Sequence, residues 1–198
     1  MDSQIRRFKL VLVGDAYVGK TTFVKRHQTG EFEKRYIATL GVNVVPLTFY
    51  TNKGVVILNV WDCAGQEKFA GLDDGYYIGA DAFILFFGMD SKASYRNASH
   101  WLKKITDYTG RFDRSRPIIV CGTKCDLPNT RLMPSEMKDR ALLEHPFYFI
   151  SAKSNYNYEK PILAVIQNLM GPDTTFTETP SREPEPEPER VLPTPRSP

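Results

Sequence analysis

The hydrophobic positions of the chain follow two alternating patterns between residues 8 and 170. Short runs rich in β-branched and aromatic residues predict six strands, at 8–13, 42–49, 55–61, 82–87, 118–121 and 147–150. Apolar residues at helical spacing predict helices, at 19–29, 94–108, 134–144 and 159–170. The turn TNKG at 51–54 makes the second and third strands an antiparallel hairpin. This alternation predicts an α/β fold with a six-stranded, mostly parallel sheet, one antiparallel edge pair and helices on both faces, and it places ligands at the carboxyl ends of the strands.

The last 28 residues, 171–198, have a different composition from the rest. They include eight prolines and carry a net charge of −3. Since the whole chain has a net charge of +3, residues 1–170 carry a net charge of +6. A segment this rich in proline and charge can neither form a helix nor bury a core. We therefore predict one globular domain at 1–170 followed by a disordered tail at 171–198.

The basic residues of the domain are dispersed, and no RRM, KH or zinc-finger pattern is present. This argues against direct binding of nucleic acid. Cys63, Cys121 and Cys125 form no CxxC pair, so neither a zinc site nor a disulfide framework is expected. The first residues do not resemble a signal peptide, and the apolar run after them is too short to cross a bilayer. A soluble, intracellular protein is expected.

The stretch GDAYVGKT at 14–21 lies between the first predicted strand and the first predicted helix, as the phosphate-binding pattern GxxxxGK[ST] requires. Gly14 permits a sharp turn, and Gly19 permits close approach of the backbone to a ligand. The loop amides then surround phosphate groups, and the Lys20 ammonium reaches the β- and γ-phosphates. Thr21 offers its hydroxyl to Mg²⁺. The predicted nucleotide-binding residues here are Gly14, Asp15, Ala16, Tyr17, Val18, Gly19, Lys20, Thr21 and Thr22.

Three further motifs each follow a predicted strand. In WDCAGQ (61–66), Asp62 can hold the water shell of a metal and the Gly65 amide can meet a γ-phosphate. In TKCD (123–126), Asp126 can accept hydrogen bonds from the N1 and N2 hydrogens that guanine has and adenine lacks, while the Lys124 stem covers the ring. In SAK (151–153), the Ala152 amide can donate to guanine O6. The predicted base site comprises Thr123, Lys124, Asp126, Ser151, Ala152 and Lys153.

These four motifs in this order resemble the Ras superfamily of small GTPases, whose fold is the P-loop NTPase G domain, and within it the Ran family most closely. The resemblance covers about 8–170 and is carried by TTFVKRHQTGEFEKRYIATLGV, WDCAGQEKFAGLDDGYYI and ISAKSNYNYEKP. It implies that the first of these segments contains switch I and the second contains switch II. Thr39 would close over Mg²⁺ and the γ-phosphate, Gly65 would bond the γ-phosphate, and Gln66 would orient the attacking water. Tyr36 matches a switch I tyrosine that assists the glutamine when a Ran-type activator is bound.

The resemblance therefore implies a GTP/GDP switch with catalytic residues Gln66, Lys20, Thr39 and Tyr36. Its metal residues are Thr21, Thr39 and, through water, Asp62. It further implies a monomer that binds importin-β-type transport receptors, a Ran-type activating protein and a guanine-nucleotide exchange factor, and that shuttles between nucleus and cytoplasm. No arginine matches a built-in finger, so slow hydrolysis without an activator is expected. The tail contains no cysteine for prenylation, so no membrane anchor is expected.

Three features depart from the Ran pattern. Ala16 falls where Ras and Ran proteins carry glycine. Its methyl group can crowd Gln66, which predicts weakened hydrolysis of GTP. Rab-type loops, however, tolerate larger residues at this position and at Tyr17. Thr123 replaces the commoner asparagine, and the proline-rich tail excludes the helix that Ran proteins carry.

Two alternatives remain: a Rab-like trafficking GTPase, and a GTP-locked binding module that titrates Ran partners. A P-loop kinase is disfavoured because DxxGQ and TKxD have no role there.

Overall fold

The computed structural model describes residues 5–35, 37–65, 73–112, 115–128 and 132–178. Their six strands form one sheet in the order β2-β3-β1-β4-β5-β6. The strands are β1 (Arg6–Val13), β2 (Val42–Thr51), β3 (Gly54–Cys63), β4 (Ala82–Gly88), β5 (Ile118–Thr123) and β6 (Phe147–Phe149). Only β2 and β3 among the described strands pair antiparallel, and they lie at one edge of the sheet. The predicted fold class is confirmed, including the hairpin.

The helices agree with the predicted pattern except around residue 137. They are α1 (Lys20–Thr29), α2 (Asp73–Tyr77), α3 (Lys92–Phe112), α4 (Arg140–Leu143) and α5 (Lys160–Met170). The single helix predicted over 134–144 is wrong, because the segment contains a 3₁₀ turn at Pro134–Glu136 and then the separate α4. The Asp139 carboxylate accepts hydrogen bonds from the amides of Ala141 and Leu142, so this residue caps a new helix instead of continuing an old one. The short α2 was not predicted.

Alternate residues of the central strands serve two separate cores. In β1, Leu10 and Leu12 pack with α1 and α5 on one face of the sheet, whereas Val11 and Val13 pack with α3 on the other. This alternation follows from the pleat of a strand whose two faces are both covered. The helices α1 and α3 therefore lie on opposite faces of the sheet. Within the described residues, no helix has the length and apolar character needed to cross a membrane.

The chain remains packed on the body beyond the predicted boundary at residue 170. The Thr177 amide donates to the Tyr50 carbonyl at 2.9 Å, and the Phe176 ring stacks on Phe49 with centroids 5.5 Å apart. The β2 strand lies at the sheet edge, so its backbone groups are open to pairing with this segment. Composition predicted disorder from residue 171, and the structure corrects this for the residues through 178. The rest of the tail, 179–198, lies outside the described residues.

Candidate nucleotide-binding site

The loop between β1 and α1 has the backbone geometry of a tight cradle. A side chain at Gly14 would place its Cβ 2.2 Å from the Phe86 carbonyl oxygen, and Gly14 also has a φ of 135°, so only glycine fits. Gly19 has a φ of 97° at the start of α1, although the space around its Cα is open. Gly14 is therefore required by its contact with Phe86, and Gly19 is required by its dihedral angles. The close approach of a ligand to Gly19 stays a prediction.

The Lys20 side chain lies along the inside of this loop. It is buried, and its Nζ donates to the carbonyl oxygens of Gly14 at 2.6 Å and Asp15 at 2.9 Å. A buried ammonium must be paired or hydrogen-bonded, and these two carbonyls fix its position. The predicted phosphate-binding cation is thus held inside the ring of loop amides.

Three oxygen-bearing side chains meet beside Lys20. The hydroxyls of Thr21 and Thr39 lie 2.8 Å apart, and Asp62 is 1% exposed at the end of β3. Burial raises the pKa of the Asp62 carboxyl, while hydrogen bonding from Thr21 and the charge of Lys20 lower it in part. Among the residues described, no group hydrogen-bonds the buried Oδ1 of Asp62. A buried carboxylate oxygen without a partner, next to two hydroxyls, fits a hard divalent cation such as Mg²⁺ with its water shell.

Gly65 joins the end of the third strand to the phosphate loop. Its carbonyl accepts a hydrogen bond from the Ala16 amide at 3.1 Å. A Cβ at Gly65 would lie 2.1 Å from the Ala16 nitrogen and 2.3 Å from the Asp15 carbonyl carbon, so only glycine permits this contact. The segment predicted to sense a γ-phosphate therefore rests directly on the loop predicted to hold it.

Three neighbouring loop residues direct their side chains away from the cleft or to its rim. The Asp15 carboxylate accepts hydrogen bonds from α3, and Val18 is buried in the core. Tyr17 has a φ of 65° and its side chain is 60% exposed at the rim. The bulk of Tyr17 is therefore accommodated in solvent, whereas Ala16 lies on the cleft wall and its amide contacts Gly65.

The base end of the cleft is built from fully engaged side chains. The buried Thr123 hydroxyl lies 2.6 Å from the Val18 carbonyl and 3.1 Å from the Phe87 carbonyl, and it donates to them. Threonine here ties β5 to both β4 and the phosphate loop. Lys124 has a φ of 59°, and its Nζ forms an ion pair with Asp90 at 2.8 Å. That pair holds the lysine stem along the wall of the cleft.

Asp126 is oriented by the segment that follows β6. The Ser151 hydroxyl donates to Asp126 Oδ1 at 2.6 Å, and it accepts from the Ser154 amide at 3.0 Å. Ser151 is fully buried, so it acts on a ligand only through Asp126. Ala152 lies on the wall of the same cleft. The side chains predicted to read the base therefore converge, and Ser151 serves to position the carboxylate.

One cleft of about 610 Å³ connects both ends. The predicted residues on its wall are Ala16, Tyr17, Gly19, Lys20, Thr21, Thr22, Thr39, Asp62, Gly65, Thr123, Lys124, Asp126, Ala152 and Lys153. Gly14, Asp15, Val18 and Ser151 support the wall from behind it. Gln66 and Tyr36 lie outside the described residues. The wall also includes Phe32, which is 38% exposed, and Leu127, neither of which was predicted. An exposed aromatic residue after α1, in a segment without helical periodicity, was the available signal for Phe32.

The cysteine nearest the phosphate end does not add chemistry to it. Burial, with a smaller contribution from the neighbouring Asp62 charge, raises the pKa of Cys63 to about 12. The thiol therefore stays protonated at neutral pH, and a protonated thiol is neither a metal ligand nor a nucleophile.

A glycine-bearing loop between a strand and a helix, a buried lysine, and a cleft at the carboxyl ends of parallel strands define a P-loop nucleotide-binding protein. Residues 9–171 match the sequence model of the Ras family, and the chain therefore belongs to that family. It is a small GTPase, a switch protein of the kind that binds GTP and GDP, usually with Mg²⁺.

Proposed function

We propose that this GTPase is Ran-like: a GTP/GDP switch that hydrolyses GTP slowly, binds importin-β-type receptors in its GTP form and directs transport between nucleus and cytoplasm. The Ran resemblance of the segments 21–42, 61–78 and 150–161 supports this branch over others. The proposal includes a Ran-type activating protein and an exchange factor as partners, no direct nucleic-acid contact and no membrane anchor.

The observation that carries the switch is the meeting of three segments at the phosphate end. Thr39 contacts Thr21 of α1, Gly65 contacts Ala16 of the phosphate loop, and the Asp62 carboxylate lies buried beside them. Mg²⁺ bound there would neutralise charge on the β- and γ-phosphates. A γ-phosphate would then accept hydrogen bonds from the Thr39 hydroxyl and the Gly65 amide, and these two bonds would be lost on hydrolysis.

The energy available is enough to move a switch. Hydrogen bonds to charged groups contribute roughly 1.5–3 kcal/mol each. Inverting a two-state population requires about 5.5 kcal/mol of differential affinity. Bonds from Thr39 and Gly65, supplemented by the metal, reach that figure, so GTP can order the segments around residues 39 and 65 and hydrolysis can release them.

The receptor proposal is tested by pulldown. The purified protein is loaded with GDP or with a non-hydrolysable GTP analogue and presented to an immobilised importin-β-type receptor. Retention of the GTP-analogue form alone supports the proposal, and equal retention of both forms contradicts it. Uptake of guanine nucleotide is measured separately, so a failure of the switch itself is distinguished from a wrong choice of partner.

Ala16 favours a second candidate, in which hydrolysis is impaired and the GTP-bound chain titrates Ran partners. Ala16 lines the phosphate end beside Gly65, and an added methyl group there can displace a reacting group. Displacement by about 1 Å costs on the order of 100-fold in rate. We expect Ala16→Gly to accelerate single-turnover hydrolysis of GTP by up to about 100-fold. The affinity for GDP should not change, because the loop amides remain. Equal hydrolysis rates for the wild-type protein and Ala16→Gly, with and without activator, would show that Ala16 does not slow hydrolysis.

The Rab-like alternative is not favoured by any contact in the cleft. Its support is the larger residues at 16 and 17, and the exposed position of Tyr17 makes that substitution permissible in any branch of the family. Detection of a covalently attached lipid on the protein isolated from its native cells would revive it.

A further inference from the structure

Asp15 is an acidic residue inside a loop that binds phosphate, and both of its carboxylate oxygens are engaged by one helix. Oδ1 accepts from Trp101 Nε1 at 2.9 Å, and Oδ2 accepts from Asn97 Nδ2 at 2.8 Å. Trp101 is 6% exposed and packs in the core between α3 and the sheet, so its indole N–H has a fixed direction. A buried indole N–H requires an acceptor, and Asp15 supplies it.

The backbone of the same residue supports the groups that act on phosphate. The Asp15 carbonyl accepts from Lys20 Nζ at 2.9 Å. Gly65 packs on the peptide between Asp15 and Ala16 so closely that any side chain at 65 would overlap it. A shift of the Asp15 backbone therefore moves the lysine and the Gly65 contact together, because neither has room to adjust independently.

Electrostatics alone would not favour a carboxylate here. A negative charge in a phosphate loop repels the bound anion, and this repulsion is stronger in a less polar site than in water. The two donors on α3 turn the charge away from the cleft, since Asp15 is absent from its wall. This arrangement is explained by geometry: the carboxylate attaches the loop to a long, well-packed helix.

We infer that Asp15 is a positioning residue through which Trp101 and Asn97 of α3 set the phosphate loop for the γ-phosphate. The inference rests on the proposed GTPase switch and adds to it a mechanical connection from α3 to Lys20 and Gly65. Gly65 serves only the γ-phosphate, so loosening the connection affects GTP more than GDP.

Asp15→Ala, Trp101→Phe and the double variant test the connection. Asp15→Ala should lower the single-turnover rate of GTP hydrolysis by about 10- to 100-fold, and it should weaken GTP binding more than GDP binding. Trp101→Phe keeps an aromatic ring but removes the indole N–H, and its effect should have the same direction. The double variant should be no worse than the more impaired single variant, because both changes break the same contact. Additive losses would overturn the inference.

Asp15→Asn separates position from charge. An asparagine oxygen still accepts from the Trp101 indole, and the Asn97 amide can rotate to accept from the new NH₂ group. If position matters, Asp15→Asn should keep most of the hydrolysis rate and of the preference for GTP. If Asp15→Asn is as impaired as Asp15→Ala, the carboxylate acts by its charge and the inference fails. His100→Ala, an exposed change on the same helix, is the matched control.

Amide hydrogen exchange provides a readout that does not depend on nucleotide. In Asp15→Ala, exchange should accelerate at the amides of residues 14–20 relative to the wild-type protein, while the central strands keep their protection. Unchanged exchange in the loop would overturn the inference even if hydrolysis falls. If the wild-type protein takes up no guanine nucleotide, the proposed switch fails, and the exchange result still decides whether α3 holds the loop.

Discussion

The two ends of the cleft are held in different ways. At the base end three polar side chains have protein partners: Thr123 donates to backbone carbonyls, Lys124 pairs with Asp90, and Ser151 donates to Asp126. At the phosphate end, the Oδ1 atom of Asp62 lacks a hydrogen-bond partner among the described residues. The base end is therefore organised before a ligand arrives, whereas the phosphate end is completed by one.

This difference shows where binding energy is converted into a conformational signal. A site whose side chains are already satisfied gains affinity without reorganisation. A site with a buried carboxylate, one oxygen of which lacks a hydrogen-bond partner among the described residues, changes its energy when a cation and phosphate enter, because burying a polar atom without a partner is costly. Under the proposed function, we therefore expect the base end to select the nucleotide and the phosphate end to respond to the γ-phosphate.

The largest effect is expected from Asp62→Asn, which removes the buried negative charge. Nucleotide affinity should lose its dependence on Mg²⁺, a change of roughly 10- to 100-fold if one charged contact of about 1.5–3 kcal/mol is lost. The nucleotide-free protein should become more stable, because the cost of burying the carboxylate disappears. Affinities measured with Mg²⁺ and with EDTA, together with thermal unfolding of the nucleotide-free protein, give the two results.

Asp107→Asn is the matched control for that change, since Asp107 is exposed and pairs with Lys103 on the surface of α3. It should alter neither the Mg²⁺ dependence nor the melting temperature appreciably. If Asp62→Asn keeps the full Mg²⁺ effect, the cation is held by other groups and the contrast between the two ends is wrong.

A smaller effect is expected at the base end from Ser151→Ala. The variant removes the donor to Asp126 Oδ1, and we expect a loss of about 1.5 kcal/mol, or roughly tenfold, in GDP affinity. The loss should be the same with Mg²⁺ and with EDTA, because the ends of the cleft are organised separately. Ser154→Ala changes an exposed neighbouring serine and should have little effect. A Ser151 effect that depends on the metal would contradict the separation.

The parts of the fold that could be predicted from the sequence follow local rules. The β-branched and aromatic runs of the strands, the hairpin turn and the pattern GxxxxGK[ST] are each read within a few residues, and the structure contains all three. The error at 134–144 shows the limit of such rules. Periodicity is continuous there, but Asp139 competes with the helix by capping the next one, and that choice depends on tertiary position.

The parts that could not be predicted depend on contacts between distant residues. Asp90 supports Lys124 from 34 residues away, and Trp101 supports Asp15 from 86 residues away. Composition also failed at residues 171–178, because backbone pairing with an open sheet edge requires few apolar side chains. The motifs thus located the groups that face the ligand, and the residues that hold those groups from behind were visible only in the structure.

His27 of α1 lies in an aromatic cluster and does not line the cleft, and it provides the smallest and most specific prediction. Its ring stacks on Tyr158, which follows the base segment, with centroids 3.9 Å apart, and it meets Phe23 edge-on at 4.6 Å. Burial lowers the pKa of His27 to about 3, while a hydrogen bond with the backbone of Tyr158 opposes the shift. The histidine is therefore neutral in the folded protein at every pH at which the protein is handled.

The unfolded chain binds a proton at His27 below about pH 6.5, whereas the folded protein does so only near pH 3. Acid therefore favours unfolding within that window, and stability rises with pH through it. Between pH 7.5 and pH 5.5 this group should cost about 1.4 kcal/mol of unfolding free energy.

His27→Phe keeps an aromatic ring in the stack and removes the proton-binding site. The difference in unfolding free energy between the wild-type protein and His27→Phe, measured by urea titration at both pH values, should shift by that amount in favour of the variant at pH 5.5. A pH-independent difference would show that folding does not lower the pKa of His27, and it would contradict the prediction.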